Sequence, residues 1–175
     1  MIAHKLHRFI LSHVDSPVGR LDIVTTKGAV CLIAFAPVEG EDYPQRWIAR
    51  HFPDFELVRD QKGNDSVHRE LNEYFLRKRK RFLSKIRLEG TDFQLQVWTA
   101  LRSIPYGETT SYKAVAMTVG NPNATRAVGS AIGKNPVPII VPCHRVIGET
   151  GHLVGFGGGI ERKKKLLQLE GAIMM

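Results

Sequence analysis

At 175 residues the chain suits one large domain or two small ones, and its apolar and charged fractions are those of an ordinary globular protein. No run approaches the roughly 20 apolar residues of a membrane helix. Met1-Ile2-Ala3-His4-Lys5-Leu6-His7 lacks the apolar stretch and cleavage site of a signal peptide, so a cytoplasmic protein that does not engage a membrane is expected. The net charge of +8 is spread over both halves: residues 1–90 hold 16 cations against 12 carboxylates, and residues 91–175 hold nine against five. Such a balance suits nucleic acid or another polyanion, and it equally suits a merely soluble basic surface. Two cysteines, Cys31 and Cys143, make a poor staple for a chain this size, and zinc-ligand spacing is absent despite seven histidines. Neither a metal nor a cofactor is expected.

Residues 7–36 read as strands. Arg8 to Val14 is followed by a turn at Ser16-Pro17-Val18-Gly19, then Leu21 to Val24, Lys27-Gly28, and Ala29 to Phe35. Turn residues between short β-rich runs predict a three-stranded antiparallel meander. Cys31, in the most apolar of these strands, reads as an inert core thiol. Two helices follow, one over about Tyr43 to Phe52. The other starts near Ser66, with Val67, Leu71, Tyr74 and Phe75 at three-to-four spacing. The second ends in Arg77-Lys78-Arg79-Lys80-Arg81, read as a solvated helix end with cations near the negative dipole terminus in preference to a phosphate patch. Glu89-Gly90-Thr91 marks a boundary between domains at 1–88 and 91–175.

The second half is mostly helical. Thr91 or Asp92 can cap a helix with Phe93, Val97, Trp98 and Leu101 on one face, which Pro105-Tyr106-Gly107-Glu108 ends. Thr110 or Ser111 can start a second helix that stops at Gly120-Asn121-Pro122. A third, about Asn123 to Ile132, is rich in small residues. Two short helices around a glycine-containing turn form the helix-turn-helix pattern, and the small residues allow close approach to another surface. After Asn135-Pro136-Val137-Pro138, Ile139-Ile140-Val141 reads as an apolar strand leading into Pro142-Cys143-His144-Arg145-Val146-Ile147-Gly148. A cysteine next to a histidine suggests a thiolate stabilised by imidazole. A bare Cys-His pair is more often a buried cysteine with a chance neighbour. Adjacent side chains diverge in extended backbone, so a bridging water would be needed. The two prolines, the strand end and the arginine favour a site.

At this point the sequence resembles the O6-alkylguanine-DNA alkyltransferases, most strongly over about residues 91–171. Val141-Pro142-Cys143-His144-Arg145-Val146-Ile147 looks like the family's signature. Ser111-Tyr112, Arg126 in Ala-Thr-Arg-Ala-Val-Gly, Asn135, the Gly155-Phe156-Gly157-Gly158-Gly159 loop and the Leu166-Leu167-Gln168-Leu169-Glu170-Gly171 helix end match in order and spacing. The resemblance implies an α/β fold in two parts. One is an N-terminal ribonuclease-H-like domain built on the three-stranded antiparallel sheet; the other is a mostly helical, winged-helix-like C-terminal domain that carries the helix-turn-helix. It implies stoichiometric transfer of an alkyl group from O6-alkylguanine in duplex DNA, with O4-alkylthymine a second candidate base, to Cys143 of a monomer.

The same resemblance implies the roles. Cys143 is the nucleophile, His144 takes its proton through a water, Glu170 orients His144, Asn135 sets the cysteine's turn, and Tyr112 donates to a ring nitrogen of the leaving guanine. A base inside a duplex must be flipped out to meet a sulfur atom, and Arg126 fills the gap. The DNA-facing set is Arg126 with Ala124, Thr125, Ala127, Gly129, Lys134 and Arg145. The base pocket is Tyr112, Ile132, Val146, Phe156, Gly157 and Gly158. Phe156 stands where many relatives have tyrosine and Gly157 where some have serine, which alters substrate range more than reaction type. Two other classes compete: a binding-only relative, which lacks the cysteine, and a winged-helix regulator, which leaves Pro-Cys-His-Arg and Glu170 unexplained.

Overall fold

The computed structural model describes residues 6–36 and 42–174, so the N-terminal stretch read for a leader lies outside the described residues up to position 5. The chain divides into two compact units, Met1–Glu89 and Gly90–Met175.

In the first unit, β1 (His7–Val14), β2 (Leu21–Thr26) and β3 (Ala29–Phe35) form the expected antiparallel meander, with Leu11 opposite Val24 and Ile23 opposite Ile33. The three-stranded antiparallel sheet is nevertheless a misreading. A fourth strand, β4 (Phe55–Arg59), pairs parallel to β1 with Leu57 opposite Phe9, giving a mixed sheet of order β3-β2-β1-β4. Parallel pairing needs a crossover rather than a turn, here through α1 (Tyr43–His51), so no local hairpin signal announces it. As an edge strand β4 has no fully buried side chain, which leaves its apolar alternation weak.

Phe9, Leu11, Val24, Cys31, Leu32 and Ala34 pack beneath Ile48 and Phe52, with the Phe9 and Phe52 rings 5.0 Å apart. Elsewhere in the unit a polar cluster closes: Asn64 accepts from Thr25 at 2.5 Å and donates to Ser12 at 2.7 Å, and Ser12 meets His68 at 2.7 Å. The second helix, α2 (Asp65–Phe75), stops before the basic run. Those cations therefore lie in the following loop and not on a helix end, because Arg77 takes a left-handed backbone (φ 58°) that leaves the helical path.

In the second unit, α3 (Asp92–Arg102) starts with a reciprocal cap. Thr91 Oγ1 accepts from the Gln94 amide, and the Gln94 side chain accepts from the Thr91 amide. Trp98 is buried and donates to the Ala131 carbonyl at 2.8 Å, tying α3 to α5 (Thr125–Gly133). Ser111 caps α4 (Tyr112–Thr118) by accepting from the Ala114 amide, and Gly120 (φ 76°) turns the chain towards α5.

The predicted strand at Ile139–Val141 is a buried turn instead. Ile139 is left-handed (φ 75°), and the Val141 amide donates to the Val137 carbonyl at 2.9 Å. Pro136 and Pro138 have no amide to offer a ladder, so burial there comes without strand pairing. A 3₁₀ turn, Cys143–Arg145, leads into β6 (Val146–Ile147), which pairs parallel with β5 (Thr110–Ser111). The last helix is α6 (Ile160–Glu170), closed by Gly171 at φ 74°. Among the described residues no helix is long and apolar enough to cross a membrane.

Replacing the Thr91 hydroxyl leaves first-turn amides of α3 without their cap. Thr91→Ala is expected to cost about 1 kcal/mol, within the 0.5–2 range of such losses. Urea denaturation of the two proteins, compared at equal slope, measures it.

Candidate active site

The site is assembled by short elements held against one helix end. Asn135 clasps the buried turn: its Nδ2 donates to the Val141 carbonyl at 2.8 Å, and its Oδ1 accepts from the Val137 amide at 3.0 Å. The Cys143 amide then donates to the Val141 carbonyl at 2.8 Å, which fixes where the 3₁₀ turn begins. Within that turn Cys143, His144 and Arg145 are all buried.

Glu170, the last residue of α6, receives this turn. His144 Nε2 lies 2.9 Å from its Oε1. Arg145 donates to both oxygens, Nε to Oε2 at 2.8 Å and Nη2 to Oε1 at 2.9 Å, and the Gly107 amide reaches Oε2 at 3.3 Å. Burial alone would raise the Glu170 carboxyl, but the hydrogen bonds and charges of His144 and Arg145 overrule it and hold the group well below the usual carboxylate range. An ionised carboxylate only accepts, so Nε2 of His144 carries the proton. Burial lowers the His144 pKa, although Glu170 opposes the shift, so the ring is neutral. Its Nδ1 is buried, has no hydrogen-bond partner among the described residues and is therefore an open acceptor.

Burial pushes the Cys143 thiol up to about 11, against the lowering effects of the Asn135 amide, the Lys163 charge and the backbone N–H groups of the turn. The resting sulfur is thus a protonated thiol with its stabilising groups already in position. Cys31 sits at about 12 through burial, and its sulfur is directed to the Val24 carbonyl at 3.3 Å.

Reasoning from sequence missed Lys163. It is fully buried, and its Nζ donates to the carbonyls of Val146 at 2.6 Å, Val154 at 2.7 Å and Gly155 at 3.4 Å. The ammonium lies 5.9 Å from the Tyr112 ring centroid. Burial lowers its pKa to about 8, and the Cys143 sulfur pulls the other way. A signal was available: Lys163 shares the inward stripe of α6 with Leu166, Leu167 and Glu170 at three-to-four spacing.

The remaining candidates divide. Tyr112 is beside the sulfur's environment, but its hydroxyl is directed at the loop carbonyls of Val154 (3.1 Å) and Gly155 (3.4 Å). Ile132, Val146 and Gly158 are buried, Phe156 is half-buried and Gly157 is exposed, where a Cβ would stand 3.9 Å from the Gly133 carbonyl. Arg126, Ala127 and Lys134 are exposed on or just after α5, and Ala124 and Thr125 are half-buried at its start. Gly129 faces inward instead, where a Cβ would stand 3.7 Å from the Tyr112 ring. Arg145 is the clearest departure from its expected role as a DNA contact. It is buried, fully committed to Glu170 and to the Ile104 carbonyl at 2.6 Å, and so not presented to a phosphate. No group of metal-ligating side chains occurs among the described residues.

Known proteins resemble this chain. Residues 92–172 match the family model described as 6-O-methylguanine DNA methyltransferase, DNA binding domain. A methylated-DNA–protein-cysteine methyltransferase of Mycobacterium bovis is 57% identical over 101 residues, which span 58% of this chain and 61% of that relative's length. The Methanosarcina acetivorans protein of the same name is 40% identical over 159 residues, 90% of this chain and 96% of the relative. The crystal structure of Mycobacterium tuberculosis OGT in complex with DNA superposes with a TM-score of 0.82 at 40% identity, covering 93% of this chain and 92% of that one. Likeness of this extent, running through both units, means that the chain belongs to the methylated-DNA–protein-cysteine methyltransferase family.

Proposed function

We propose that the chain repairs duplex DNA by moving an alkyl group from O6-alkylguanine to Cys143, once per molecule. The observation that carries this reading is the buried series Cys143, His144 and Glu170, in which the histidine has its proton fixed on Nε2 and its Nδ1 open. In the reaction a water takes the thiol proton to His144 Nδ1, and the Glu170 carboxylate, kept ionised by Arg145, balances the imidazolium. The sulfur attacks the alkyl carbon in line, the S–C bond forms, and the C–O6 bond breaks with its electron pair left on guanine. Tyr112 donates to a ring nitrogen and the Gly157 amide to O6, so the developing anion meets donors as it forms. The proton taken from Cys143 ends on the released guanine.

Because Tyr112 rests on the loop carbonyls, an arriving base must exchange that bond for its own, with Phe156, Gly158, Ile132 and Val146 around the ring. Arg126 fills the gap in the stack, while Ala124, Thr125, Ala127 and Lys134 approach the minor groove. Gly129 serves by admitting the Tyr112 ring. We read the first unit, residues 1–88, as ribonuclease-H-like, which its strand order and parallel outer strand support. The second, residues 91–175, reads as winged-helix-like, supported by the helices α3, α4 and α5 together with the small parallel β5–β6 pair. A monomer in a reducing cytoplasm fits the two free cysteines.

The decisive experiment is mass mapping after mixing with an O6-methylguanine duplex. One methylene is expected on the Cys143 peptide, none on Cys31, and no transfer in Cys143→Ala. A thioether is not reversed by external thiol, so the stoichiometry should stop at one. Transfer surviving in Cys143→Ala would falsify the assignment.

Arg126→Ala should slow repair in duplex DNA far more than reaction with the free base O6-benzylguanine, since only the duplex requires a stack to be opened and refilled. Equal losses in single-turnover rates on both substrates would place Arg126 in the chemistry or the fold.

Glu170→Gln leaves Arg145 buried without its counter-charge, and such a break costs about 3–5 kcal/mol. The sign with pH follows from the lowered carboxyl. Its stabilisation is complete above the unfolded value of about 4.3 and is lost as pH falls through the depressed folded value. Thermal unfolding should therefore show a large gap between the proteins at pH 7 that narrows in strong acid. A gap independent of pH would mean that the charge of Glu170 is not what stabilises the site.

A further inference from the structure

The positive charge of the first unit is concentrated in one place. Of the 16 cations in residues 1–90, seven fall between Leu76 and Leu88, where there is no carboxylate, so the rest of that stretch of chain is net acidic. Nothing in the alkyl-transfer site uses this segment.

The segment is fastened into a defined loop. The Arg77 amide donates to the Tyr74 carbonyl at 2.9 Å and the Lys78 amide to the Glu73 carbonyl at 2.8 Å, closing the end of α2. Glu70, buried, accepts from the amides of Leu83 and Ser84 at 3.1 Å each. Arg79 turns inward to Glu73 at 2.7 Å and donates to the Arg81 carbonyl at 2.9 Å. The far end is tied to β3 through Val30, which donates to the Lys85 carbonyl and accepts from the Arg87 amide, both at 2.8 Å.

Arg79 is thus spent as a fastener, and Arg87 is held by Glu89 at 2.7 Å with its guanidinium over the Phe52 ring. Arg77, Lys78, Lys80 and Arg81 are exposed, beside Leu76 and Leu83 at 64% and 79% exposure. Among the described residues no carboxylate pairs with Arg77, Lys78 or Arg81. Crowded like charges without counterions raise the energy of an ordered loop, and a bound polyanion relieves that. A loop already ordered also loses little entropy on binding.

We propose that this loop is a second phosphate-binding surface, through which the first unit holds the backbone of duplex DNA by Arg77, Lys78 and Arg81. The inference rests on the reading of the chain as a duplex-DNA repair protein. Phosphate contacts carry no sequence information, so this grip acts on lesion-free DNA as well as on damaged sites. The exposed leucines offer apolar area to the sugar edges between phosphates.

Salt titration of binding to an undamaged duplex tests it, using the full chain and the triple variant Arg77→Gln, Lys78→Gln, Arg81→Gln. Each phosphate contact contributes about 0.9 to the slope of log affinity against log salt, so the slope should become shallower by about 2 to 3. The rate of Cys143 alkylation by free O6-benzylguanine should be unchanged. Lys78→Gln alone, at an exposed position, should lower the slope by about 1 and serves if the triple variant folds poorly. An unchanged slope in both variants overturns the proposal. So does a loss confined to binding of phosphatidylglycerol vesicles, which would make the loop a lipid-surface reader. Failure of the wild-type chain to react with the free base would count against the alkyl-transfer reading, and the slope comparison would still decide this one.

Discussion

The carboxylate of Glu170 is buried at the end of a helix, where both desolvation and the helix dipole oppose a negative charge. It stays ionised because His144, Arg145 and the Gly107 amide converge on its two oxygens. That convergence fixes more than a charge. It sets the His144 tautomer, holds two successive residues of the 3₁₀ turn and so fixes Cys143 just before them. Through Arg145 it also binds α6 to the Ile104 carbonyl after α3, and Tyr106 donates to the Leu169 carbonyl beside it. Packing of the second unit and readiness of the sulfur therefore depend on one network.

The two cysteines show what that network adds. Burial raises both thiols, yet only Cys143 has an amide side chain, a lysine ammonium and a turn of backbone N–H groups around it. In the proposed reaction these groups are of little use to the resting thiol and act when the proton leaves. Lys163 has a second task, since its three carbonyl acceptors join β6 to the 154–155 loop. The Tyr112 hydroxyl meets the same loop carbonyls. The proposed proton donor, the loop over the base and the cation near the sulfur are thereby physically linked, so entry of a base would be felt at all three.

Much of this was legible in the chain. Local chemistry announced the Thr91 and Ser111 caps, the glycine turn between α4 and α5, the inert setting of Cys31 and the Pro-Cys-His-Arg segment. Each depends on residues within a few positions of one another. The role expected of Glu170 came through the family resemblance, because a carboxylate at a helix end taken by itself reads as an exposed residue.

Tertiary structure alone decided the rest. The parallel strand β4 has no turn to announce it, and its register depends on a crossover. The apolar run at Ile139–Val141 is hydrophobic because it is buried, and only the surrounding prolines and the Asn135 clasp make it a turn. Arg145 reads as a surface cation beside a DNA-binding element until Glu170, 25 residues away, is seen to hold it inside. Lys163 likewise reads as one of a run of lysines, and only the carbonyls it meets explain its burial. The sequence by itself determined which local elements form and which chemistry they carry. Which charges are buried, and what partners make that burial tolerable, depends on contacts between distant segments that no local pattern encodes.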